Sequence, residues 1–255
     1  MMYRYYGKTD RGMRRIKNED AYLVEMQSAC MRGEERHYLL AIVADGLGGH
    51  SAGDVASKDG VKYISVLTFI QIAEAEYLDE EELKKILEKA MRLSHKKIKA
   101  RGEEIKYWRM GTTATVCLFY GEKVYIAHAG DCRVYLLEKQ ELRQLTEDHT
   151  IAWVLYKHGE ISKEEIRTHP MRSRLTNHLG IYEGELKVDW IEQAVKPGMR
   201  FLVCSDGLYD MLSDAEINEV LMKVEDCKAC CEEFVKKANE KGGEDNITAV
   251  VVDIV

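Results

Sequence analysis

The sequence predicts an α+β fold in which a layer of helices packs on antiparallel strands. Two long helical patterns follow each other after the first strands, an order that places helices side by side on a sheet. Between residues 111 and 146, short strand patterns are separated by turns such as Gly121-Glu122 and Gly130-Asp131, which is typical of an antiparallel meander. With 255 residues, 45% of them hydrophobic, the chain can bury a large core, and we expect one domain over residues 1–255.

The first part of the chain is predicted to contain three strands followed by two helices. Residues 2–7 and 21–26 have strand patterns, and residues 39–44 form an apolar run too short and too β-branched for a helix. Apolar residues three and four positions apart predict a helix over residues 51–75. A second helix is predicted over residues 79–101, because acids gather at its start and bases at its end, as the helix dipole favours. Its apolar stripe, expected in the core, consists of Leu83, Ile86, Leu87, Ala90, Met91 and Ile98.

The later part of the chain contains further strand patterns and two helical patterns. The predicted strands cover residues 111–121, 123–130, 132–139, 142–146, 185–192, 201–204 and a terminal run from residue 247. The predicted helices cover residues 213–223 and 226–240. Together these elements extend the sheet and add a second pair of helices.

Residues 147–180 interrupt this order, because their apolar period is irregular. They contain four of the eight histidines. We predict two short helices, over residues 149–157 and 162–168, with Ser162 capping the second through a Ser-x-x-Glu pattern. A zinc site is disfavoured, because neither a His-x-x-x-His pair nor a Cys-x-x-Cys partner occurs at a suitable distance. The excursion favours a substrate-facing flap.

Charge and cysteine content limit the partners and the compartment. The net charge is −7 without a marked run of Lys or Arg, so neither nucleic acid nor an anionic membrane is favoured as a partner. Seven irregularly spaced cysteines and no basic-apolar leader indicate free thiols in a reducing compartment. Because no apolar run is long enough to span a bilayer, we expect a cytoplasmic protein without direct membrane insertion. Helical spacing puts Cys227, Cys230 and Cys231 on one face, which favours core packing and leaves a redox role open.

Four aspartates stand at the edges of predicted apolar strands, namely Asp45, Asp131, Asp206 and Asp245. One Asp-Gly pair alone is an ordinary turn signal, so the inference depends on the recurrence. Burying several carboxylates near one another is costly unless cations neutralise them. Two divalent ions about 3.5–4 Å apart would do so, and would turn a bridging water into a nucleophile for in-line attack on phosphorus.

A charged cluster before the second strand supplies further candidates. Arg15 offers a planar fork that suits a phosphate group, and Glu19 and Asp20 are suited to hold a metal or its waters. From this segment alone, a solvated charged loop is the simpler interpretation.

Eight motifs in order give the sequence a resemblance to a known family. They are RRIKNEDAY, ADGLGGHSAGDVAS, GTTAT, AHAGDCRVYL, TEDHT, LTNHLG, CSDGLYD and GGEDNIT. This set resembles the metal-dependent protein serine/threonine phosphatases of the 2C type (PPM), especially the bacterial branch, over residues 9–254. The resemblance implies a four-layer α-β-β-α sandwich with two central antiparallel sheets flanked by helices, and a variable flap at residues 149–175. Cys132 and the Asn177-His178 pair depart from the usual residues, which affects only local packing and flap behaviour.

The resemblance also implies a role for each candidate metal ligand. Asp45 would bridge both catalytic metals, and the carbonyl of Gly46 would bind the second. Asp206 and Asp245 would complete the protein ligands of the first. Asp131, together with Asp206, would bind a third and weaker ion.

The remaining site residues follow from the same resemblance. Glu19 and Asp20 match the acid pair that serves the second metal directly or through water. Arg15 matches the arginine that grips the substrate phosphate, with Arg14 as the weaker alternative. His50 matches the histidine proposed as general acid for the leaving alkoxide.

These implications together predict a hydrolase that acts on phosphoserine and phosphothreonine in proteins, by attack of a hydroxide bound to two Mn²⁺ or Mg²⁺ ions. Carboxylates accept both ions, so the sequence does not choose between them. The implied partners are phosphorylated proteins, including a serine/threonine kinase that the enzyme opposes in signalling, and we expect a monomer.

Two other functions are compatible with parts of the sequence. A non-catalytic module on the same fold is disfavoured because every predicted ligand and Arg15 are present. A nucleotide-binding enzyme would use GLGGHSAGD as a phosphate cradle, but no Gly-Lys-Ser/Thr follows it.

Overall fold

Two antiparallel sheets form the centre of the computed structural model, which describes residues 1–31, 34–47, 52–107, 109–180 and 184–255. In chain order, the strands of the first sheet are β1 (Tyr3–Asp10), β7 (Arg133–Glu138), β8 (Glu141–Gln144), β10 (Arg200–Cys204) and β11 (Ile247–Ile254). Those of the second sheet are β2 (Asp20–Met31), β3 (Glu34–Leu47), β4 (Gly111–Thr112), β5 (Ala114–Tyr120), β6 (Lys123–Ala129) and β9 (Asp189–Ala194). The spatial orders are β1-β11-β10-β7-β8 and β2-β3-β5-β6-β9, with β4 paired to β3.

Seven helices in the described residues accompany these sheets. They are α1 (Gly53–Glu74), α2 (Glu80–Glu104), α3 (Ile151–Lys157), α4 (Lys163–Ile166), α5 (Asp206–Tyr209), α6 (Asp214–Lys223) and α7 (Cys227–Glu240). Among them, none combines the length and the apolar character needed to cross a membrane.

Three apolar cores show that the elements are stacked in four layers. One core lies between the second sheet and helices α1 and α2, and another lies between the first sheet and helices α6 and α7. The third fills the space between the two sheets, where Phe119 and Phe201 meet edge to face with their ring centroids 5.3 Å apart. The predicted α-β-β-α sandwich is therefore confirmed.

Strand β3 is buried on both faces, and it supports the candidate site. Because alternate residues of a strand point to opposite sides of the sheet, Leu40 and Ile42 pack under the helices while Leu39 and Ala41 pack against the first sheet. This burial explains the continuous apolar run in the sequence. It also makes β3 a rigid support for Asp45, which lies near its end.

Several element boundaries differ from the predicted ones. The strand predicted over residues 111–121 is divided into β4 and β5 at Thr113, and the strand predicted over residues 185–192 begins later, as β9. Helix α5 was not predicted, because four residues are too few to show a helical period. Helix α2 keeps its predicted core stripe, of which Leu83 and Met91 are fully buried examples.

The segment with the irregular period contains helices α3 and α4. Their cluster of Ala152, Trp153 and Ile166 is separate from the three main cores. The predicted cap of the second helix is confirmed, since Ser162 and Glu165 form a reciprocal capping box.

Candidate active site

A cavity of about 390 Å³ opens where the ends of strands from both sheets meet. Seven of the predicted site residues line it, namely Arg15, Glu19, Asp45, Gly46, Asp131, Asp206 and Asp245. Asp20 is buried at the start of β2, where it pairs with Asp45 of β3 across the sheet. His50 lies outside the described residues. The fold thus brings together acids that are up to 226 positions apart in the sequence, the separation of Glu19 and Asp245.

The main chain of Asp45 is held by two threonines of the GTTAT motif. Its N–H donates to the Thr113 hydroxyl at 2.8 Å, and its carbonyl oxygen accepts from the Thr112 hydroxyl at 2.8 Å. The Thr113 N–H donates to the same carbonyl oxygen at 2.8 Å. With its backbone fixed on three sides, Asp45 keeps its carboxylate free to face the cavity.

Gly46 occupies a space that no other residue fits. Its N–H donates to the Glu19 carbonyl oxygen at 3.1 Å, which ties the end of β3 to the loop before β2. A Cβ at Gly46 would lie 2.2 Å from the Gly53 carbonyl oxygen and 2.6 Å from that of Glu19. This close approach is the reason for glycine at this position.

The acid pair before β2 is held by polar residues of the first sheet. The Glu19 N–H donates to Asn246 Oδ1 at 2.7 Å. Asp20 Oδ2 accepts from the hydroxyls of Ser205 at 2.7 Å and Thr248 at 2.6 Å. These bonds cross from one sheet to the other, so they fix the two acids relative to the strands that carry Asp206 and Asp245.

Asp245 precedes β11 and is bonded on both carboxylate oxygens. Its Oδ2 lies 2.5 Å from Nη2 of Arg15, and its Oδ1 accepts from the Asn246 N–H at 2.8 Å. Asp206 follows β10 at the start of α5.

Asp131 is anchored through its backbone. Its carbonyl oxygen accepts from the hydroxyl of Tyr209 at 3.0 Å. The Arg133 guanidinium stacks on the Tyr209 ring, 3.6 Å from its centroid, and forms a bidentate pair with the buried Asp148.

The cavity concentrates negative charge in a partly buried place. Burial, followed by repulsion from neighbouring carboxylates, raises the pKa of Asp45 and that of Asp206 well above their usual range. Burial also raises the pKa of Asp20 and that of Asp131 to about 7. Such a cluster is costly without cations to neutralise it, so it favours a site for positively charged ligands.

The donor set fits divalent ions of the Mg²⁺ and Mn²⁺ type. Carboxylate and carbonyl oxygens are the hard ligands that these ions prefer. The buried Oδ1 atoms of Asp20 and Asp206 have no hydrogen-bond partner in the described part of the chain, so they remain available for an ion.

The side chains are nevertheless not arranged as a finished ligand group. Within the described ranges, no three Asp, Glu, His or Cys side chains already form a group that could hold a metal. Both oxygens of Asp245 already have partners, since Oδ2 pairs with Arg15 and Oδ1 accepts from the Asn246 N–H.

A second cavity, of about 400 Å³, adjoins the first and shares Asp131, Arg172 and Asp206 with it. Helix α4 forms part of its wall. Arg172 Nε donates to Asp210 Oδ2 at 3.3 Å, and Arg167 Nη2 donates to the Asp210 carbonyl oxygen at 2.8 Å. The segment with α3 and α4 is therefore bonded to the end of α5, next to the candidate site.

Sequence reasoning gave no role to several residues that build the site. Asn246 accepts from Glu19 N–H, and its Nδ2 donates to the carbonyl oxygens of Arg11 and Lys17, at 2.8 and 2.9 Å. Thr113, which binds the backbone of Asp45, likewise had no predicted role. Polar residues inside or beside apolar strand runs were the available signal, because a buried polar group needs a partner.

Comparison with known proteins places these features in a family. The family described as Protein phosphatase 2C matches residues 5–154. The serine/threonine phosphatase stp of Listeria innocua is 38% identical over 247 residues, which are 96% of this chain and 94% of that protein.

Solved structures agree with this result. The serine/threonine phosphatase of S. agalactiae superposes with a TM-score of 0.87 at 29% identity, covering 100% of both chains. The catalytic domain of the serine/threonine protein phosphatase PstP, in complex with two manganese ions, superposes with a TM-score of 0.78 at 34% identity, covering 99% of this chain and 98% of that one.

Proposed function

The chain belongs to the protein phosphatase 2C family, and on this premise we propose how its residues carry out serine/threonine phosphatase activity. Asp45, Asp206 and Asp245 would hold one divalent ion, and Asp45 would bridge it to a second one. The carbonyl of Gly46 would serve the second ion. When bound, the two ions would neutralise the carboxylates and activate a water for attack on phosphorus. The convergence of these residues on one cavity supports the proposal.

The acid pair and a third acid extend the ion-binding set. Glu19 and Asp20 would serve the second ion directly or through water, since Asn246, Ser205 and Thr248 hold this pair beside the cavity. Asp131, with Asp206, would hold a third and weaker ion. Either Mn²⁺ or Mg²⁺ suits these oxygen donors.

Arg15 would bind the phosphate group of the substrate. Its side chain is 51% exposed at the cavity, so an incoming phosphate can reach the guanidinium. The planar fork binds two phosphate oxygens at once and aligns the ester for in-line displacement. His50 would donate a proton to the leaving serine or threonine oxygen.

We further propose that residues 1–255 act as one catalytic domain, with residues 149–175 as a flap beside the cavity. The substrates would be phosphorylated cytoplasmic proteins, including a serine/threonine kinase that this monomeric enzyme opposes. The adjoining cavity, with α4 in its wall, gives a protein substrate room next to the phosphate site.

The proposal is tested by the change Asp206→Asn, which removes one negatively charged ligand from the predicted site of the two metal ions. We expect Mn²⁺-dependent hydrolysis of p-nitrophenyl phosphate to fall by more than about a hundredfold, since even outer partners of metal ligands change activity by 10–100-fold. Glu244→Gln is the matched control, because Glu244 is an exposed acid on the same cavity. Full activity of Asp206→Asn would refute the assignment of the metal site.

The substrate class is tested with peptides in a metal-titrated assay. A phosphothreonine peptide should be hydrolysed in the presence of Mn²⁺ or Mg²⁺, whereas the matching phosphotyrosine peptide should be a poor substrate. Equal rates on both peptides would contradict the proposed specificity.

A further inference from the structure

The turn that carries Asp131 is held from behind by one histidine. The main-chain N–H of His149 donates to the Gly130 carbonyl oxygen at 2.7 Å, and the Gly130 N–H donates to His149 Nδ1 at 3.0 Å. Both backbone polar groups of the residue before Asp131 are thus bound by a single residue. Gly130 has a φ of +124°, and a Cβ there would lie 2.5 Å from the Thr113 side chain, so the turn depends on this glycine.

The orientation of the His149 ring is itself fixed by hydrogen bonds. Because Nδ1 accepts from Gly130, the ring proton lies on Nε2, which donates to Asp189 Oδ2 at 3.1 Å. Asn177 Nδ2 also donates to Nδ1, at 2.9 Å. Asn177 is bonded in turn to the backbone of Lys187 through its Oδ1 and Nδ2, at 3.1 and 2.8 Å. The side chain of His149 is 16% exposed and that of Asp189 is 45% exposed, so the bonds of Nδ1 to Gly130 and the buried Asn177 are the sheltered ones.

His149 is the first residue of the flap, and Asn177 lies two residues beyond its last residue. The Thr176 N–H donates to the His149 carbonyl oxygen at 2.8 Å, and Thr150 forms a β-bridge with Leu175. The two ends of the flap are therefore bonded to each other and, through the His149 ring, to the turn before Asp131.

We propose that His149 is a positioning residue for Asp131 and that, with Asn177, it couples the position of the flap to the third-ion site. The inference rests on the proposed function, because it takes Asp131 as a ligand of the weaker ion. Tyr209 holds the carbonyl oxygen of Asp131 at 3.0 Å, so the turn is fixed from two sides. Removing the His149 ring leaves the Gly130 N–H without its acceptor, so that only the main-chain bond from His149 holds this end of the turn, and the Asp131 carboxylate is then less firmly positioned.

The test is a Mn²⁺ titration of the whole protein, with free Mn²⁺ measured by electron paramagnetic resonance. His149→Leu removes the acceptor for Gly130, whereas His149→Asn restores an amide oxygen close to the place of Nδ1. We expect His149→Leu to raise the dissociation constant of the most weakly bound Mn²⁺ ion by about three- to tenfold, which corresponds to the loss of one hydrogen bond. The binding of the tighter ions should not change. His149→Asn should recover most of this loss. His169→Leu is the matched control, since it removes a flap histidine whose Nδ1 accepts from Met171 instead.

A double variant separates positioning from a general structural effect. Asp131→Asn should remove the loosest ion, and adding His149→Leu to it should change Mn²⁺ binding no further. If Asp131→Asn removes the ion but His149→Leu does not weaken it, or if the two changes add, the inference is overturned.

The outcomes also separate this inference from the proposed function. An unchanged loosest ion in Asp131→Asn would overturn the third-ion assignment and this inference with it, while the dinuclear site is judged by Asp206→Asn. Thermal melting without Mn²⁺ checks that each variant folds. Where His149→Leu does not fold, Asn177→Leu decides the question, because it removes the second donor to the His149 ring and should weaken the same ion selectively.

Discussion

Lowering the pH from 7 to 5 should cost the fold about 2 kcal/mol through one buried histidine, His128. This residue of β6 is fully buried, with Nε2 at 3.0 Å from the Glu147 carbonyl oxygen and Nδ1 at 2.8 Å from the Thr115 hydroxyl. Burial, aided by the nearby ring of His149, lowers its pKa from 6.5 to about 3. The unfolded chain therefore binds a proton between pH 6.5 and 3 that the folded chain does not. The stabilisation is complete above the unfolded pKa and is lost as the pH falls toward 3.

The change His128→Gln isolates this contribution, because glutamine can still donate to the Glu147 carbonyl oxygen but does not titrate. Urea unfolding at pH 7 and pH 5, with a chelator present, gives the free energy of unfolding of both proteins. From pH 7 to pH 5, the free energy of unfolding of the wild type should fall by about 2 kcal/mol relative to that of the variant. The site aspartates with raised pKa values act in the opposite sense, but they are common to both proteins and cancel. Unfolding energies that change in parallel would refute the reasoning; His37→Gln, at an exposed position, is the control.

Three further changes follow from other contacts. Arg200→Met should lower the free energy of unfolding, measured in urea, by roughly 3–5 kcal/mol, because it removes the bidentate partner of the buried Asp253. A loss no larger than the ~1 kcal/mol typical of a surface ion pair would contradict this prediction. Gly46→Ala should abolish Mn²⁺-dependent activity, since the added Cβ would lie 2.2 Å from the Gly53 carbonyl oxygen. An unchanged kcat would show that the backbone around Gly46 can accommodate a Cβ. In a thiol-reagent assay of the native protein, the exposed Cys30 should react readily. The other six cysteines are buried and should react only after unfolding. Fast labelling of the cysteines on α7 would contradict this prediction and favour a redox role for them.

The elements that could be predicted from the sequence are those in which burial determines the spacing of apolar residues along the chain. Strand β3 showed as a continuous apolar run because both of its faces are covered, and α2 showed as a stripe because one face packs on the second sheet. The ends of elements were harder to predict. Helix α3 begins after Thr150, whose hydroxyl accepts from the Trp153 N–H, and this cap was not recognised. A cap depends on one side chain, so it leaves a weak pattern.

The candidate site could be predicted as a set of acids but not as a network. Each aspartate is marked locally by the strand beside it, and the order of the motifs indicated the family. The contact of Arg15 with Asp245 joins residues 230 positions apart, and that of Ser205 with Asp20 joins residues 185 apart. No local pattern encodes such a pair, because it is created only when the two sheets stack. The roles of Asn246 and His149 were missed for the same reason.

The strand that comes last in the chain, β11, lies in the interior of the first sheet, between β1 and β10. All eight residues of β1 pair with it, and Asp245 lies two residues before its start. In this sheet β1 is joined to β10 only through β11, although the paired segments lie about 240 residues apart in the sequence. Because loop-closure entropy opposes contacts of such high sequence separation, we expect this pairing, and with it the placement of Asp245 beside the other acids, to form slowly during folding.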